Sequence, residues 1–228
     1  MTGLKIKRLV PVAWVLFSLL ACAGAARSQA QDRLTETRMH VSKASGLRPL
    51  EARPRAGDEL RIWILTHAVV GKFIVLRKEP AGTRGELRLW WGTVPGSAFA
   101  PAQDQQRSTN ARNRKWIKSL WGCSEHRIES LLEVCRVSFP EAPDWSQLLR
   151  ELEQETVWDL ADGSSLKPAA NLADGATLAV EVRRGGATRT YTYTNPQSLP
   201  GPGAQHAERI RSSVEDFVRA LEVKKGIR

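Results

Sequence analysis

Cationic side chains interleaved with tryptophans are the residues of this sequence that could do chemistry, here the chemistry of binding. One group lies in a single stretch and comprises Arg107, Arg112, Arg114, Lys115, Trp116, Lys118 and Trp121. Guanidinium, ammonium and indole groups together suit anionic partners such as phosphate-rich strands, anionic lipid, wall polymers or an acidic protein. The alternative interpretation is a solvated loop that is kept soluble by its charge.

A second group combines arginine and tryptophan on two strand-like runs. Alternation places Arg61 with Trp63, and Arg88 with Trp90, on common faces of their strands. If both strands belong to one sheet in a suitable register, they build a mixed Arg/Trp surface. Such a surface could stack a sugar, a base or a partner's side chain. In the alternative interpretation a helix covers this face and the tryptophans belong to the core.

Catalytic motifs are missing from the sequence. We find no G-x-S-x-G elbow, Walker loop, H-E-x-x-H pair or dinucleotide fingerprint. The histidines have no partner pattern, which is typical of surface or end-of-element positions; they are His40, His67, His126 and His206. We therefore expect no catalytic residue, no cofactor and no metal. A hydrolase would need a site assembled by the fold, in a cleft lined by His67 or His126 and an acid.

The cysteines predict a disulfide. Cys123 and Cys135 form an even pair once Cys22 is consumed or removed during export. Cys123 and His126 also form a C-x-x-H pattern. That pattern has too few neighbouring ligands for zinc, which binds four in its structural sites.

Residues 1–30 resemble a secretory signal, with a basic start, an apolar run from Leu9 to Leu20 and small residues after it. Leu19-Leu20-Ala21-Cys22 resembles the bacterial lipobox, which would make Cys22 the lipidated first residue. The alternative is ordinary cleavage after Ala25 or Ala30. The general look is similar to that of small exported lipoproteins and periplasmic proteins of Gram-negative bacteria. We expect the periplasm, or the outer membrane through a lipid anchor.

The charge of the exported chain is moderate. Four of the 34 basic residues and none of the 24 acidic residues lie in 1–30, so the formal charge falls from +10 to about +6. A field of this size favours acidic partners or anionic surfaces without specifying one. Export argues against nucleic acid as the partner.

The elements that position these residues predict one α+β domain over 59–228, after a flexible tether at 31–58. Three short strand-like runs between 59 and 91 indicate an antiparallel meander. A basic loop without periodicity is expected at 95–118. Residues 124–134 have helical spacing, although the following CRVSF alternates like a strand.

A hairpin over 177–194 organises the second half of the chain, with Gly185-Gly186 as its turn. The expected cross-strand pairs are Val180 with Tyr191, Leu178 with Tyr193, Glu181 with Thr190 and Arg183 with Thr188. The first two pairs would form an apolar face and the others a wet one. Helices near 145–155, capped by Asp144, and near 205–222 would cover the strands.

The function that we expect is non-catalytic binding in the cell envelope. One form is an inhibitor or immunity-type protein of a periplasmic enzyme or toxin. The alternative is an envelope structural or assembly lipoprotein that contacts peptidoglycan or anionic lipid through 105–121. The hydrolase described above is the third hypothesis.

Overall fold

The structure, a computed structural model, describes residues 34–51, 57–65, 70–93, 103–166 and 175–227. The chain divides into two compact units, Met1–Met39 and His40–Arg228. Of the first unit the described residues are 34–39, which are helical; the helix, α1, runs over 34–44. All the strands of the sheet and the helices that follow them in the chain lie in the second unit. No helix in the described ranges has the length and apolarity needed to cross a membrane.

An antiparallel sheet of seven strands is the centre of the second unit. Its strands are β1 (Asp58–Leu65), β2 (Val70–Glu79), β3 (Gly82–Gly92), β4 (Cys123–Glu129), β5 (Leu132–Val137), β6 (Thr177–Arg184) and β7 (Ala187–Thr194). Their order is β4-β5-β3-β2-β1-β6-β7, so the predicted meander and the predicted hairpin belong to one sheet. The helices after the first strands are α2 (Gln103–Trp121), α3 (Trp145–Gln154) and α4 (Pro202–Lys224). The α+β prediction is confirmed.

The hairpin has the predicted register. Val180 pairs with Tyr191 and Glu181 with Thr190, and the other two predicted pairs are also present. Gly185 and Gly186 have φ angles of +57° and +86°. A two-residue hairpin turn needs positive φ at both positions, which glycine adopts without a steric cost.

One face of the sheet carries the main core, because alternate residues of every central strand are apolar and point to the same side. Ile62, Ile74, Leu87 and Val180 are fully buried there, under α3 and α4. Asp144 caps α3 as predicted, its carboxylate accepting a hydrogen bond of 2.8 Å from the Gln147 N–H. The helix predicted near 205–222 is α4, and its apolar side packs on the core, with Phe217 partly buried.

Two segments that were expected to lack structure are helical. The basic loop prediction for 95–118 is wrong from Gln103 onward, where α2 begins; residues 94–102 lie outside the described ranges. The buried side of α2 includes Asn110 and Arg114, so apolar periodicity alone does not reveal it. The tether prediction for 31–58 is wrong over 34–44, a stretch without Pro or Gly in which Val41 and Ala44 are buried.

The helical interpretation of 124–134 is also wrong, since these residues form β4, a tight turn and the start of β5. Ser130 has a φ angle of +57° in that turn. Ile128, which suggested a buried helical position, is more than half exposed on an edge strand. The pairing of β4 with β5 and the disulfide between them outweigh the helical spacing of the apolar residues in this segment.

Candidate functional site

The residues predicted for binding separate into two places. Arg61, Trp63, Arg88 and Trp90 lie on the sheet face opposite the main core, which we call the second face. The remaining candidates belong to α2.

Arg61, Trp63, Arg88 and Trp90 do share one face, as their alternation predicts. Trp63 lies opposite Phe73, and Phe73 lies opposite Arg88 on the next strand. The face is not an open surface, however, because Arg61 and Arg88 are 5% and 7% exposed and Trp63 is fully buried. Trp63 stacks on Phe73 with ring centroids 4.1 Å apart. These two rings are therefore unavailable as a platform for a sugar or a base.

The segment after α1 covers the two arginines with backbone carbonyl groups. Arg88 donates from Nη1 to the Ser45 carbonyl at 2.6 Å, and Arg61 donates from Nη2 to the Arg48 carbonyl at 2.6 Å. Gly46, between the two carbonyl positions, has a φ angle of +67°. A residue in this left-handed conformation commonly ends a helix and turns the chain away, and here the turn brings residues 45–49 over the sheet.

Buried carboxylates hold the arginines of the second face in a network. Glu59 accepts from Arg61 Nε at 2.9 Å and from Arg77 Nε at 3.1 Å, and Arg183 Nη2 lies 3.6 Å away. Glu86 accepts from Arg77 Nη1 at 2.9 Å and from Arg88 Nε at 2.9 Å. One carboxylate thus serves three guanidinium groups and the other serves two.

The network lines a polar cavity of about 340 Å³ beneath residues 46–49. Its charged lining consists of Arg48, Arg61, Arg77, Arg88 and Arg183 with Glu59 and Glu86. Burial alone would raise the pKa of Glu59, but Arg61 and Arg77 outweigh it and hold that pKa below its ordinary value. Burial would also raise the pKa of Glu86, but Arg88 and Arg77 outweigh it and hold that pKa below its ordinary value. Both carboxylates are therefore ionised at neutral pH.

Helix α2 divides its candidate residues between its two sides. Its inward side holds Ile117 and Trp121 in the core and Arg114 against β5, where Arg114 forms a bidentate pair with Glu133 at 2.8 and 2.7 Å. Hydrogen bonding to that carboxylate raises the pKa of Arg114. The outward residues are exposed; they are Arg107, Arg112, Lys115, Trp116 and Lys118. We call these five residues the α2 outer face.

His126 lies on β4 next to an acid, the pairing that a fold-assembled hydrolase would require. Its Nε2 is 2.8 Å from Glu133 Oε2, and its ring stacks on Trp91 with centroids 5.7 Å apart. Glu133 is buried and already bound to Arg114. His126 lines neither the polar cavity of the second face nor the apolar cavity between the main sheet face and α4. His67, the other histidine considered, lies outside the described residues.

An apolar cavity of about 260 Å³ lies between the main sheet face and α4. Ile62, Val214 and Val218 are among its lining residues. At its edge Lys72 Nζ and Glu222 Oε1 form an ion pair of 2.8 Å. Glu215 and Arg219 are the other charged residues of its lining.

The disulfide prediction is confirmed, with Cys123 and Cys135 joined across β4 and β5. Within the described residues no group of three or more His, Cys, Asp or Glu side chains could hold a metal ion. Cys22 and the whole signal segment lie outside the described residues. No protein-family model, curated protein or solved structure matches the chain.

Sequence reasoning missed most of the buried network, although a signal for it is present. The pattern Glu-x-Arg, with an apolar residue in the middle, occurs three times in strands: at 59–61, 86–88 and 181–183. Because strand residues i and i+2 share a face, each copy places a carboxylate and a guanidinium side by side opposite the core. Three such copies in one sheet predict an internal ionic layer.

Proposed function

We propose that this chain is an exported, non-catalytic binding protein of the cell envelope that engages an acidic surface of another protein through the α2 outer face. Its location would be the periplasm, or the outer membrane if Cys22 carries a lipid. One form of this role is an inhibitor or immunity-type protein of a periplasmic enzyme or toxin. Exported binding needs no catalytic group, and the sequence motifs for catalysis are missing.

The observation that carries the proposal is the composition of the α2 outer face. The face carries four cationic residues and Trp116, whose side chain is 51% exposed, and Arg112 lies one helical turn before that tryptophan. No acidic residue occurs between Gln105 and Ser124, so the positive charge of this stretch is not neutralised along the chain. Tryptophan and arginine are enriched among the residues that dominate protein interfaces, and cations at the rim speed association with an acidic partner.

The experiment uses the full chain as bait in envelope extract, at low and at moderate salt. We expect one protein to be retained at near-equal stoichiometry in both, and to bind the purified bait directly. Trp116→Ala and Arg112→Glu should abolish retention. Arg150→Glu, an equal charge reversal at an exposed position of α3, should leave it intact. Retention that survives both α2 variants would refute the proposal.

Anionic lipid or peptidoglycan is the second candidate partner, favoured by the exposed indole among cations and by the predicted lipid anchor. The apolar side of α2 is turned into the core, which leaves Trp116 as the large apolar side chain available for a bilayer among residues 107–121. Binding would then be mainly electrostatic and would collapse with moderate salt. Capture of wall fragments or anionic vesicles at low salt only would replace the protein-partner proposal with this one.

A further inference from the structure

The arginine-lined cavity of the second face has more positive charge than its own carboxylates neutralise. Five arginines line it, against Glu59 and Glu86. A third carboxylate, Glu181, lies behind Arg61 with its Oε2 3.7 Å from Nη1. Counting all three acids leaves a formal excess of two positive charges among the described residues of the site, one of which belongs to the exposed Arg48. Burying charge without compensation is costly, so a cavity of this kind favours an anion.

Arg183 is the member of the network with donor capacity left. Its side chain is 6% exposed, and its Nε makes no hydrogen bond within the described residues. Its closest carboxylate contact is 3.6 Å from Nη2 to Glu59 Oε2, which is longer than a good hydrogen bond. Arg88, by comparison, uses Nε, Nη1 and Nη2 in bonds to Glu86 and to the Ser45 carbonyl. Because Arg183 also lines the polar cavity, its guanidinium group is the one in the network that is placed to contact a ligand oxygen there.

We infer that this cavity binds a small molecule bearing a phosphate group, which contacts the Arg183 guanidinium and is covered by residues 46–49. Phosphate is preferred over a single carboxylate because its charge of nearly −2 at neutral pH matches the excess of two positive charges. Arginine also presents paired N–H groups that fit phosphate oxygens. The cavity, at about 340 Å³, has room for a small organic group beyond the phosphate itself.

The covering segment explains how such a ligand would be enclosed. The carbonyl groups of Ser45 and Arg48 already accept hydrogen bonds from Arg88 and Arg61, so these two arginines fix the segment and are not free to hold the ligand. Arg48, whose side chain is exposed, lines the mouth. The buried Arg183 and the exposed Arg48 are thus the two lining arginines that would contact the anion.

The test is a calorimetric titration of the full chain with inorganic phosphate, with glycerol 3-phosphate and with succinate, each at the same ionic strength. We expect saturable one-to-one binding of at least one phosphate probe, and weaker binding of succinate. Arg183→Gln should weaken the phosphate affinity by about tenfold or more, because a charged hydrogen-bond donor is lost. Arg184→Gln is the matched control, because Arg184 is the next residue in the chain but has an exposed side chain that pairs with Asp159.

A second variant, at the cavity mouth, separates loss of phosphate binding from loss of folding. Arg48→Gln removes an exposed charge without disturbing the buried network, and it should weaken phosphate binding severalfold even if Arg183→Gln fails to fold. The inference is overturned if neither phosphate probe binds saturably, or if both arginine variants bind as tightly as the wild type. Equal or tighter binding of succinate would overturn the phosphate assignment. Loss of phosphate binding leaves the α2 proposal standing, because that proposal is tested by Trp116→Ala.

Discussion

Replacing Glu59 by glutamine should destabilise the protein strongly while keeping its shape. The carboxylate is 2% exposed and is contacted by Arg61, Arg77 and Arg183. Removing one partner of a buried ion pair leaves uncompensated charge and costs roughly 3–5 kcal/mol. Arg61 keeps the Arg48 carbonyl and Arg77 keeps Glu86, so we expect a loss of about 3 kcal/mol, the lower end of that range.

Urea denaturation at pH 7 measures this loss. With a slope of about 2 kcal/mol per molar urea, a loss of about 3 kcal/mol lowers the midpoint by roughly 1.5 M. The pH dependence gives a second test. Because the folded pKa of Glu59 is lowered, its stabilisation is complete above the unfolded pKa and is lost as the pH falls through the folded one. The difference between the wild type and Glu59→Gln should therefore shrink below about pH 4.

Glu79→Gln is the matched control. Glu79 pairs with Arg84 at 3.3 Å on the same sheet, but Arg84 is mostly exposed, so this pair should contribute about 0–1 kcal/mol. If Glu59→Gln cost no more than this control, or if its cost did not change in acid, the buried-network reasoning would be refuted.

The remaining predictions concern the covalent bridge, one glycine and two tryptophans. Reducing the Cys123–Cys135 bridge, which closes a short loop, should lower the free energy of unfolding by about 3 kcal/mol, measured by denaturation with and without reductant. Gly85→Ala should lower the thermal midpoint clearly, because its Cβ would lie 2.1 Å from a tryptophan ring of α3; an unchanged midpoint would contradict that packing. Trp121→Ala should cost about 3–5 kcal/mol and Trp116→Ala about 0.5 kcal/mol or less; similar values would show that α2 is not oriented as described.

The parts of the fold that the sequence predicted are those where two local signals agree. In the hairpin, alternation and the Gly185-Gly186 turn demand the same register, so the cross-strand pairs followed from the residues alone. Helix α3 had both a cap at Asp144 and an apolar stripe. Helix α2 had neither signal in clear form, because its buried side includes Asn110 and the Arg114–Glu133 pair, whose partner is on a distant strand.

The candidate site was predictable in its position on the sheet but not in its exposure. Alternation placed Arg61 and Arg88 correctly on one face. The covering segment could not be predicted, because residues 45–49 read as part of a tether and contact the sheet through backbone carbonyl groups, which carry no sequence signal. The wet face expected for the hairpin is wrong at Arg183 for the same reason, since that residue lies under the covered region.

The buried arginines themselves argue for a binding role on the second face. Well-packed apolar residues of similar volume would often make the sheet as stable as the ion pairs do, or more stable, so stability alone does not account for an internal layer of four guanidinium groups. Glu59 and Glu86 hold three of those groups with hydrogen bonds, whereas the Nε of Arg183 makes none within the described residues. The anion proposed for the cavity would give the Arg183 guanidinium group the partner that the two carboxylates do not supply.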